Sequence, residues 1–204
     1  MLKIWGRTNS VNVKKALWAL EELGLKYERI DAGMQFGVNN TPEYRRMNPT
    51  GLVPTIEDDG FVLWESHSIV RYLAAKHGAG TLWPNDLRVR ADAERWMDWA
   101  FTFQAAFRTV FWGLVRTPAE KRDMNAIEEA RKKCAELLAI PDAALEGRQY
   151  LAGNFSMGDI QLGCHVQLWM RLPIERPAQP SLEAWFDRLC GRPAFRKIVD
   201  IPLS

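Results

Sequence analysis

Two adjacent side chains, Glu65 and Ser66, have the types that bind the two charged ends of a free amino acid. They follow a short apolar run, Phe61 to Trp64, and precede a helical pattern at Ile69, Val70 and Leu73. A serine hydroxyl and the free N–H groups of a helix N-terminus can bind a carboxylate, and a glutamate can pair with an ammonium. The alternative is that Ser66 caps its own helix and Glu65 is a solvated acid. Spacing alone leaves both interpretations open.

Val53 and Pro54, upstream in the same hairpin, could form a second recognition element. If their peptide bond is cis, the backbone N–H and C=O of Val53 face outward and can pair with a peptide-like ligand as an added strand. The alternative is an ordinary turn proline, because only about 5% of X–Pro bonds are cis in folded proteins. The residues alone do not decide between them.

Ser10 lies just ahead of the first predicted helix, where its hydroxyl and the helix N-terminus could both face a thiolate. Lowering the pKa of a cysteine-like thiol from about 8.5 to about 7 takes about 2 kcal/mol of selective stabilisation. One hydrogen bond to a charged group supplies about 1.5–3 kcal/mol. A single hydroxyl is therefore sufficient, and Asn12 could donate a second bond. The alternative is that Ser10 is simply the N-cap of the helix.

The remaining reactive side chains show no spacing typical of a metal site or a catalytic triad. We therefore expect no metal, and we expect surface or helix-end positions for the three histidines, His67, His77 and His165. The three cysteines are far apart, which is typical of a reducing cytosol rather than a disulfide scaffold. They are Cys134, Cys164 and Cys190.

An aromatic helix face follows in the second half of the chain, with rings every three or four residues from Trp96 to Phe111. Most of these rings are expected in the core. An apolar acceptor pocket could use a few of the aromatic residues of this region, and the candidates are Phe103, Phe107 and Trp112.

The order of predicted elements indicates a small α/β domain followed by an all-helical one. Residues 1–79 read as β-α-β and then β-β-α, which is a thioredoxin-like order. A turn-rich linker follows, and residues 87–204 contain only helical patterns. The net charge of +2 favours neither nucleic acid nor an acidic membrane as a partner. An opening strand at Leu2 leaves no room for a signal peptide, so we expect a soluble cytoplasmic protein.

Three motifs, taken in order, carry a resemblance to a known family. They are Asn48 to Pro54, the Trp64-Glu65-Ser66 triplet with the helix pattern after it, and the helix-entry pair Ser156 and Asp159. The chain resembles a cytosolic glutathione transferase of bacterial, serine-type character along nearly its whole length. The resemblance implies glutathione as co-substrate, a small hydrophobic electrophile as second substrate, and a two-fold homodimer.

The resemblance also implies roles for individual residues. A cis Val53–Pro54 pairs with the cysteinyl part of glutathione, and Glu65 and Ser66 hold the γ-glutamyl end. Ser10 activates the thiol within a Ser-x-x-x-Lys arrangement that reaches Lys14, with Asn12 beside it. Leu52 replaces the Lys or Gln that many members use for the glycine carboxylate, so Asn39 becomes the candidate for that end.

Two other functions stay open at this stage. The absence of a catalytic cysteine and the presence of Asn12 are compatible with a glutathione-dependent disulfide oxidoreductase. A non-catalytic binding module on the same fold is the third hypothesis.

Overall fold

The structure, a computed structural model, describes residues 1–203. Its first part is a four-stranded mixed sheet with helices. The elements are β1 Leu2–Trp5, α1 Val11–Glu22, β2 Tyr27–Ile30, α2 Pro42–Met47, β3 Thr55–Asp58, β4 Phe61–Trp64 and α3 Ser66–His77. The strand order is β2-β1-β3-β4, with β1 parallel to β2 and antiparallel to β3. The second part is helical, with α4 Leu87–Phe111, α5 Met124–Ala144, α6 Met157–Arg171, α7 Pro180–Cys190 and α8 Pro193–Ile198.

This architecture confirms the predicted fold class, a thioredoxin-like α/β part followed by an all-helical part. The division at residues 1–79 and 87–204 stays a prediction. Strand β3 begins at Thr55 rather than at Val53, because Pro54 has no N–H to donate to a ladder. The sequence pattern predicts a helix from about Pro118 to Leu145. Helix α5 instead begins at Met124, since a 3₁₀ turn intervenes and the Asp123 carboxylate caps the helix through the Ala126 N–H at 3.0 Å.

Helix α4 does not end in a simple cap. A π-helical turn, Trp112–Arg116, continues it and redirects the chain at the end of the helix. Arg122 stabilises this turn by donating hydrogen bonds to the carbonyl oxygens of Leu114 at 2.8 Å and Thr117 at 3.1 Å. The side chains of the turn are thereby placed at the junction between the two parts of the molecule.

One hydrophobic core runs through both parts. Helix α1 has continuous burial from Val13 to Leu20, because it packs on α3 of the first part and on α6 and α8 of the second. Trp18, fully buried, joins the parts: its ring lies 5.6 Å from the Phe155 ring and 4.9 Å from the Phe195 ring. Nearby, Arg192 donates two hydrogen bonds to the Glu22 carboxylate, at 2.8 and 2.6 Å.

The predicted capping box at the start of α6 is confirmed. Asp159 is fully buried, and its carboxylate accepts from the backbone N–H groups of Ser156 at 2.9 Å and Leu151 at 3.0 Å. The Trp185 indole donates to the same carboxylate at 2.9 Å. One side chain therefore ties together the loop before α6, α6 itself and α7.

None of the helices within residues 1–203 combines the length and the apolar character needed to cross a membrane.

Candidate functional site

A cleft of about 720 Å³ lies between the α/β part and helices α4 and α6. Ser10 and Asn12, at the start of α1, form part of one wall together with Leu52 and Val53. The opposite wall comes from α4, the π-helical turn and α6. Its apolar lining consists of Phe101, Ala105, Phe107, Phe111, Trp112 and Leu168. The chain therefore brings a polar helix start into contact with an apolar wall that could hold a second molecule.

Ser10 occupies the N-cap position of α1, but its side chain makes no capping hydrogen bond. The hydroxyl lines the cleft although the residue is only 8% exposed. The backbone is fixed on both sides, since the Ser10 N–H donates to the Arg7 carbonyl oxygen at 3.3 Å and its own carbonyl accepts from Lys14 at 2.9 Å. The capping interpretation of the hydroxyl is therefore not supported. An anion in the cleft beside Ser10 would meet this hydroxyl and the positive end of α1.

Lys15 lies buried directly behind the cleft wall, and the sequence reasoning missed it. Its side chain is fully buried, and its Nζ lies 3.0 Å from Asn12 Oδ1, 3.2 Å from His67 Nε2 and 3.4 Å from Gln104 Oε1. Because Asn12 Oδ1 accepts from Lys15, the Asn12 Nδ2 donor is the group left to face a ligand. Lys15 thus orients Asn12 from behind the cleft wall.

Lys14, the lysine that the resemblance implied beside Ser10, has a different role. Its Nζ donates to the Val199 carbonyl oxygen at 3.0 Å and so fastens the C-terminal segment to α1. Lys14 also lines the cleft. Only the backbone N–H of Lys14 donates to Ser10, and its ammonium does not.

Two of the three histidines, His67 and His165, are buried and not on the surface. His67 does lie at a helix end, in the first turn of α3, whereas the expectation is wrong for His165, which is buried in the middle of α6. Burial, with the positive charge of Lys15 second, lowers the pKa of His67 to about 2. His67 is therefore neutral and accepts a hydrogen bond from the Lys15 ammonium, while its ring stacks on Phe101 with 3.9 Å between centroids. Burial also lowers the pKa of His165, which lines the cleft.

We expect the buried ammonium of Lys15 to make stability depend on alkaline pH. Burial lowers its pKa from 10.5 to about 8, while the charges of Cys164 and Glu65 act in the opposite direction. Between pH 8 and pH 10 the unfolded chain binds a proton that the folded chain lacks, so the contribution of Lys15 to the free energy of unfolding rises with pH. In urea unfolding, the free energy of unfolding of wild type minus that of Lys15→Met should therefore increase by about 2 kcal/mol from pH 8 to pH 10.

Lys26→Met is the matched control, since Lys26 is exposed just beyond the end of the same helix. The free energy of unfolding of Lys26→Met should differ from that of wild type by the same amount throughout this pH range. A flat difference for Lys15→Met as well would contradict a lowered pKa of Lys15.

Glu65 and Ser66 lie where β4 meets α3. Glu65 is exposed at the N-cap position with φ of 71°, and Ser66 is the first helical residue and is buried. The interpretation of Ser66 as the cap of α3 is not supported, because Glu65 occupies the N-cap position and Ser66 is already helical. In the part of the chain that the structure describes, these two residues adjoin the sheet and do not line the 720 Å³ cleft.

The peptide bond between Val53 and Pro54 is cis. Val53 lines the cleft, and its backbone N–H and C=O form no hydrogen bond to any group of residues 1–203. The preceding carbonyl of Leu52 is held in place by the Tyr44 hydroxyl at 2.6 Å and by Asn48 Nδ2 at 3.0 Å. A fixed loop therefore presents one free donor and one free acceptor to an extended ligand.

Asn39, the candidate for a glycine carboxylate, uses its amide otherwise. Its Nδ2 donates to the Gly51 carbonyl oxygen at 2.6 Å, and its Oδ1 is buried without a hydrogen-bond partner. Asn39 thus braces the loop that carries Leu52 and Val53. Its contact with a ligand stays a prediction.

The predicted aromatic pocket requires one correction. Phe103 is fully buried and packs between the Phe107 ring at 5.4 Å and the Trp169 ring at 6.4 Å, so it is a core residue and not part of the cleft lining. Phe107 and Trp112 do line the cleft, and Trp112 is 50% exposed at the π-helical turn. The sequence reasoning also missed the cleft arginines Arg7, Arg108 and Arg116.

Acidic, histidine and cysteine side chains do not gather into a metal site anywhere in residues 1–203, where no group of three or more could hold an ion.

Comparison with known proteins decides the family. The chain is 46% identical to the glutathione S-transferase GstB of Escherichia coli strain K12, over 100% of both chains. The chain belongs to the glutathione S-transferase family. The N-terminal domain profile of the family matches residues 1–75, and the C-terminal domain profile matches residues 99–193.

Other glutathione S-transferases resemble the chain over nearly its whole length. Glutathione S-transferase 3 of Zea mays is 30% identical over 99% of this chain and 95% of the maize protein. The crystal structure of a theta class glutathione S-transferase from Xanthomonas axonopodis pv. citri, with glutathione bound, has 50% sequence identity and a TM-score of 0.96. That comparison covers 100% of this chain and 99% of the Xanthomonas chain. The family therefore accounts for the whole fold and not for one part of it.

Proposed function

We propose that this protein is a glutathione transferase, which joins the thiolate of glutathione to small hydrophobic electrophiles. The observation that carries the proposal is the Ser10 hydroxyl, which is free of capping and faces an apolar cleft at the N-terminus of α1. The relatives support it, because the GstB protein at 46% identity is named a glutathione S-transferase. The Xanthomonas structure at 50% identity has glutathione bound.

Glutathione is assigned to the α/β side of the cleft as the co-substrate. The free N–H and C=O of Val53 pair with the cysteinyl backbone of glutathione, as an added strand would. Glu65 binds the ammonium of the γ-glutamyl end, and Ser66 with the first N–H groups of α3 binds its carboxylate. Asn39 remains the candidate for the glycine end. The thiol then lies beside Ser10.

Hydrogen bonds from the protein activate the glutathione thiol by stabilising its thiolate form. Ser10 donates to the thiolate and Asn12 Nδ2 supplies a second donor, so that a larger fraction of bound thiol is ionised at neutral pH. The thiolate attacks an electrophile that packs on Phe107 and Trp112. Lys15 acts as a positioning residue, since it touches Asn12 and not the thiol.

The test is a parallel assay with glutathione and two kinds of second substrate, an aryl halide and a small disulfide. Conjugation of the aryl halide is expected. Turnover of the disulfide alone would favour the glutathione-dependent oxidoreductase, which the cysteine-free cleft wall and Asn12 leave chemically possible. Failure of glutathione to bind in calorimetry, with the fold intact by circular dichroism, would favour a non-catalytic binding module.

Ser66→Ala is expected to raise KM for glutathione about tenfold, with a smaller change in kcat at saturation. The hydroxyl contacts a part of glutathione that is the same in the ground state and the transition state, so its loss affects binding uniformly. The magnitude corresponds to about 1.4 kcal/mol, the usual value for one hydrogen bond. Ser68→Ala, which removes an exposed hydroxyl two residues further along α3, is the matched control and should leave KM unchanged. An unaltered KM in Ser66→Ala would remove Ser66 from the glutathione site.

We also propose that the protein works as a homodimer in the cytoplasm. The three cysteines are free, two of them buried, which is the state expected in a reducing compartment. Apolar surface on the helical part, including Trp99 and the 49% exposed Ile140 beside a shallow groove, is available for contact with a second copy. Sedimentation velocity measures the oligomeric state directly.

A further inference from the structure

The cleft carries positive charge from both of its walls without a compensating negative charge. Arg7 follows β1, Arg108 belongs to α4, and Arg116 ends the π-helical turn, and all three line the cleft. Within the described residues, no aspartate or glutamate lines it. An apolar substrate alone would have no use for three guanidinium groups there.

Among the residues that the structure describes, these three arginines have neither a carboxylate partner nor a carbonyl oxygen that accepts from the guanidinium group. Arg131, Arg171 and Arg192 each form a short ion pair with a glutamate or aspartate. No ion pair of that kind is found in residues 1–203 for Arg7, Arg108 or Arg116. The Nε of Arg7 is buried without any hydrogen-bond partner. A buried donor of a charged group is costly to leave unsatisfied, so a ligand with acceptor oxygens would relieve it.

Arg7 and Arg116 also act on each other. Burial lowers the pKa of the Arg7 guanidinium, and the positive charge of Arg116 lowers it further. Like charges repel, whereas an anion bound in the same cleft would be attracted by both guanidinium groups. The guanidinium fork matches a carboxylate in two parallel hydrogen bonds, which a single ammonium cannot offer.

Aromatic rings flank the other two arginines. The guanidinium of Arg108 lies 5.8 Å from the centre of the Trp112 ring, and that of Arg116 lies 6.0 Å from the Phe111 ring. Cation–π contacts of this kind hold a guanidinium near an aromatic surface while its N–H groups stay free. The cleft therefore offers a flat apolar surface with cationic donors at its edge.

We propose that the second substrate is an electrophile that carries a carboxylate on an apolar, aromatic body. This inference rests on the transferase function proposed above. Arg7 and Arg116 bind the carboxylate, and Phe107, Phe111 and Trp112 pack on the ring. The arginines are specificity-determining residues that lie away from the reacting carbon. Arg108 lies at the exposed rim and attracts the anion from solvent.

The reaction is a nucleophilic aromatic substitution in which the glutathione thiolate replaces chloride. The thiolate sulfur attacks the ring carbon that bears the halide and forms a C–S bond. The C–Cl bond then breaks, and chloride leaves with its electron pair. The thiol proton has already passed to solvent, and nothing is oxidised or reduced.

The test compares two arenes that differ in one substituent, which is anionic in the first and neutral in the second. One is a chlorodinitrobenzoate that has a nitro group on each side of the chlorine substituent and the carboxylate opposite the chlorine. The other is the matching carboxamide. After correction for the uncatalysed reaction, wild type should have a kcat/KM for the acid at least tenfold above that for the amide. Added salt should reduce this ratio.

Arg7→Gln and Arg116→Gln should each lower the ratio of acid to amide by roughly tenfold and leave KM for glutathione unchanged. Arg88→Gln is the matched control, because it removes the same charge from the exposed first turn of α4, about 30 Å along the helix from Arg108. The control should retain the wild-type ratio. Equal use of acid and amide by wild type, or an unchanged ratio in both cleft variants, overturns the inference.

A binding arm separates this inference from the transferase proposal. The same acid and amide without chlorine cannot react, and each is titrated by calorimetry into protein saturated with S-methylglutathione. Tighter binding of the acid that is lost in Arg7→Gln supports the carboxylate site even if neither chloroarene is turned over. Equal binding of acid and amide overturns it, even if both chloroarenes are conjugated.

Discussion

Ser10→Ala is expected to lower kcat/KM for conjugation between about tenfold and hundredfold and to raise the apparent pKa of bound glutathione by about one to two. The hydroxyl is uncommitted in the folded chain, since it lines the cleft and makes no cap for α1. A hydrogen bond to a charged acceptor contributes about 1.5–3 kcal/mol, and one pKa unit corresponds to about 1.4 kcal/mol. The loss should therefore appear in both quantities together, in kcat/KM against pH and in thiolate absorbance of the binary complex.

The control is Ser181→Ala, which removes a serine hydroxyl at the start of α7, away from the cleft lining. Asn12→Ala, measured alongside, separates the two donors. If Ser10→Ala leaves the thiol pKa and the rate unchanged while Asn12→Ala lowers both ionisation and rate, then Asn12 rather than Ser10 stabilises the thiolate. Unchanged behaviour in both variants would contradict thiolate stabilisation from the start of α1 altogether.

Asp159→Asn is expected to lower the free energy of unfolding by about 3–5 kcal/mol, the range for breaking a buried charged network. Burial raises the pKa of Asp159 to about 6, so the group is ionised at pH 7.5 and accepts from three N–H donors of Ser156, Leu151 and Trp185. An asparagine has the same shape, but its NH₂ group would face one or more of those donors. At least one buried N–H would be left without an acceptor.

Urea unfolding at pH 7.5 measures this loss. Asp187→Asn makes the same chemical change at an exposed position of α7 and should stay within about 0.5 kcal/mol of wild type. A loss for Asp159→Asn no larger than that of the control would show that the network of Asp159 contributes little. The two variants carry the same net charge, so the comparison isolates burial and hydrogen bonding.

The elements of the fold could be predicted because local patterns agree with the tertiary structure at most positions. The helix from Ser66 to His77 begins and ends where apolar spacing and the following glycine place it. The capping box at Ser156 and Asp159 is likewise local, since both partners lie within one turn. The boundaries failed where backbone geometry intervened, at Pro54 and after Pro118.

The candidate site was predictable only in its local parts. Ser10, Val53, Glu65 and Ser66 could be selected because each sits at a turn or a helix start. Lys15 could not, because adjacent lysines on a helix are usually solvated, and its burial depends on His67 and Gln104 from other helices. Phe103 and Phe107 share one helix face by spacing, and both rings pack on Trp169 of α6, yet only Phe107, one turn closer to the π-helical turn, lines the cleft.

The arginines of the cleft come from distant segments of the chain, so no local pattern indicates that they meet. Arg7 lies in the first loop, whereas Arg116 owes its position to the π-helical turn after α4. A π-helical turn has no reliable pattern in a single sequence, and an α-helical continuation would direct the side chain elsewhere.

The core that Trp18 joins has a consequence for how such a chain can be recombined. Helix α1 belongs to the first part by sequence, yet α6 and α8 cover much of its surface, and Arg192 pairs with Glu22 across the boundary. An excised α/β half would expose Trp18 and the outer face of α1 to water. We therefore expect neither of the two family domains to be stable without the other. A chimera that exchanges one half for that of a relative keeps its stability only if the partners of α1 are exchanged with it.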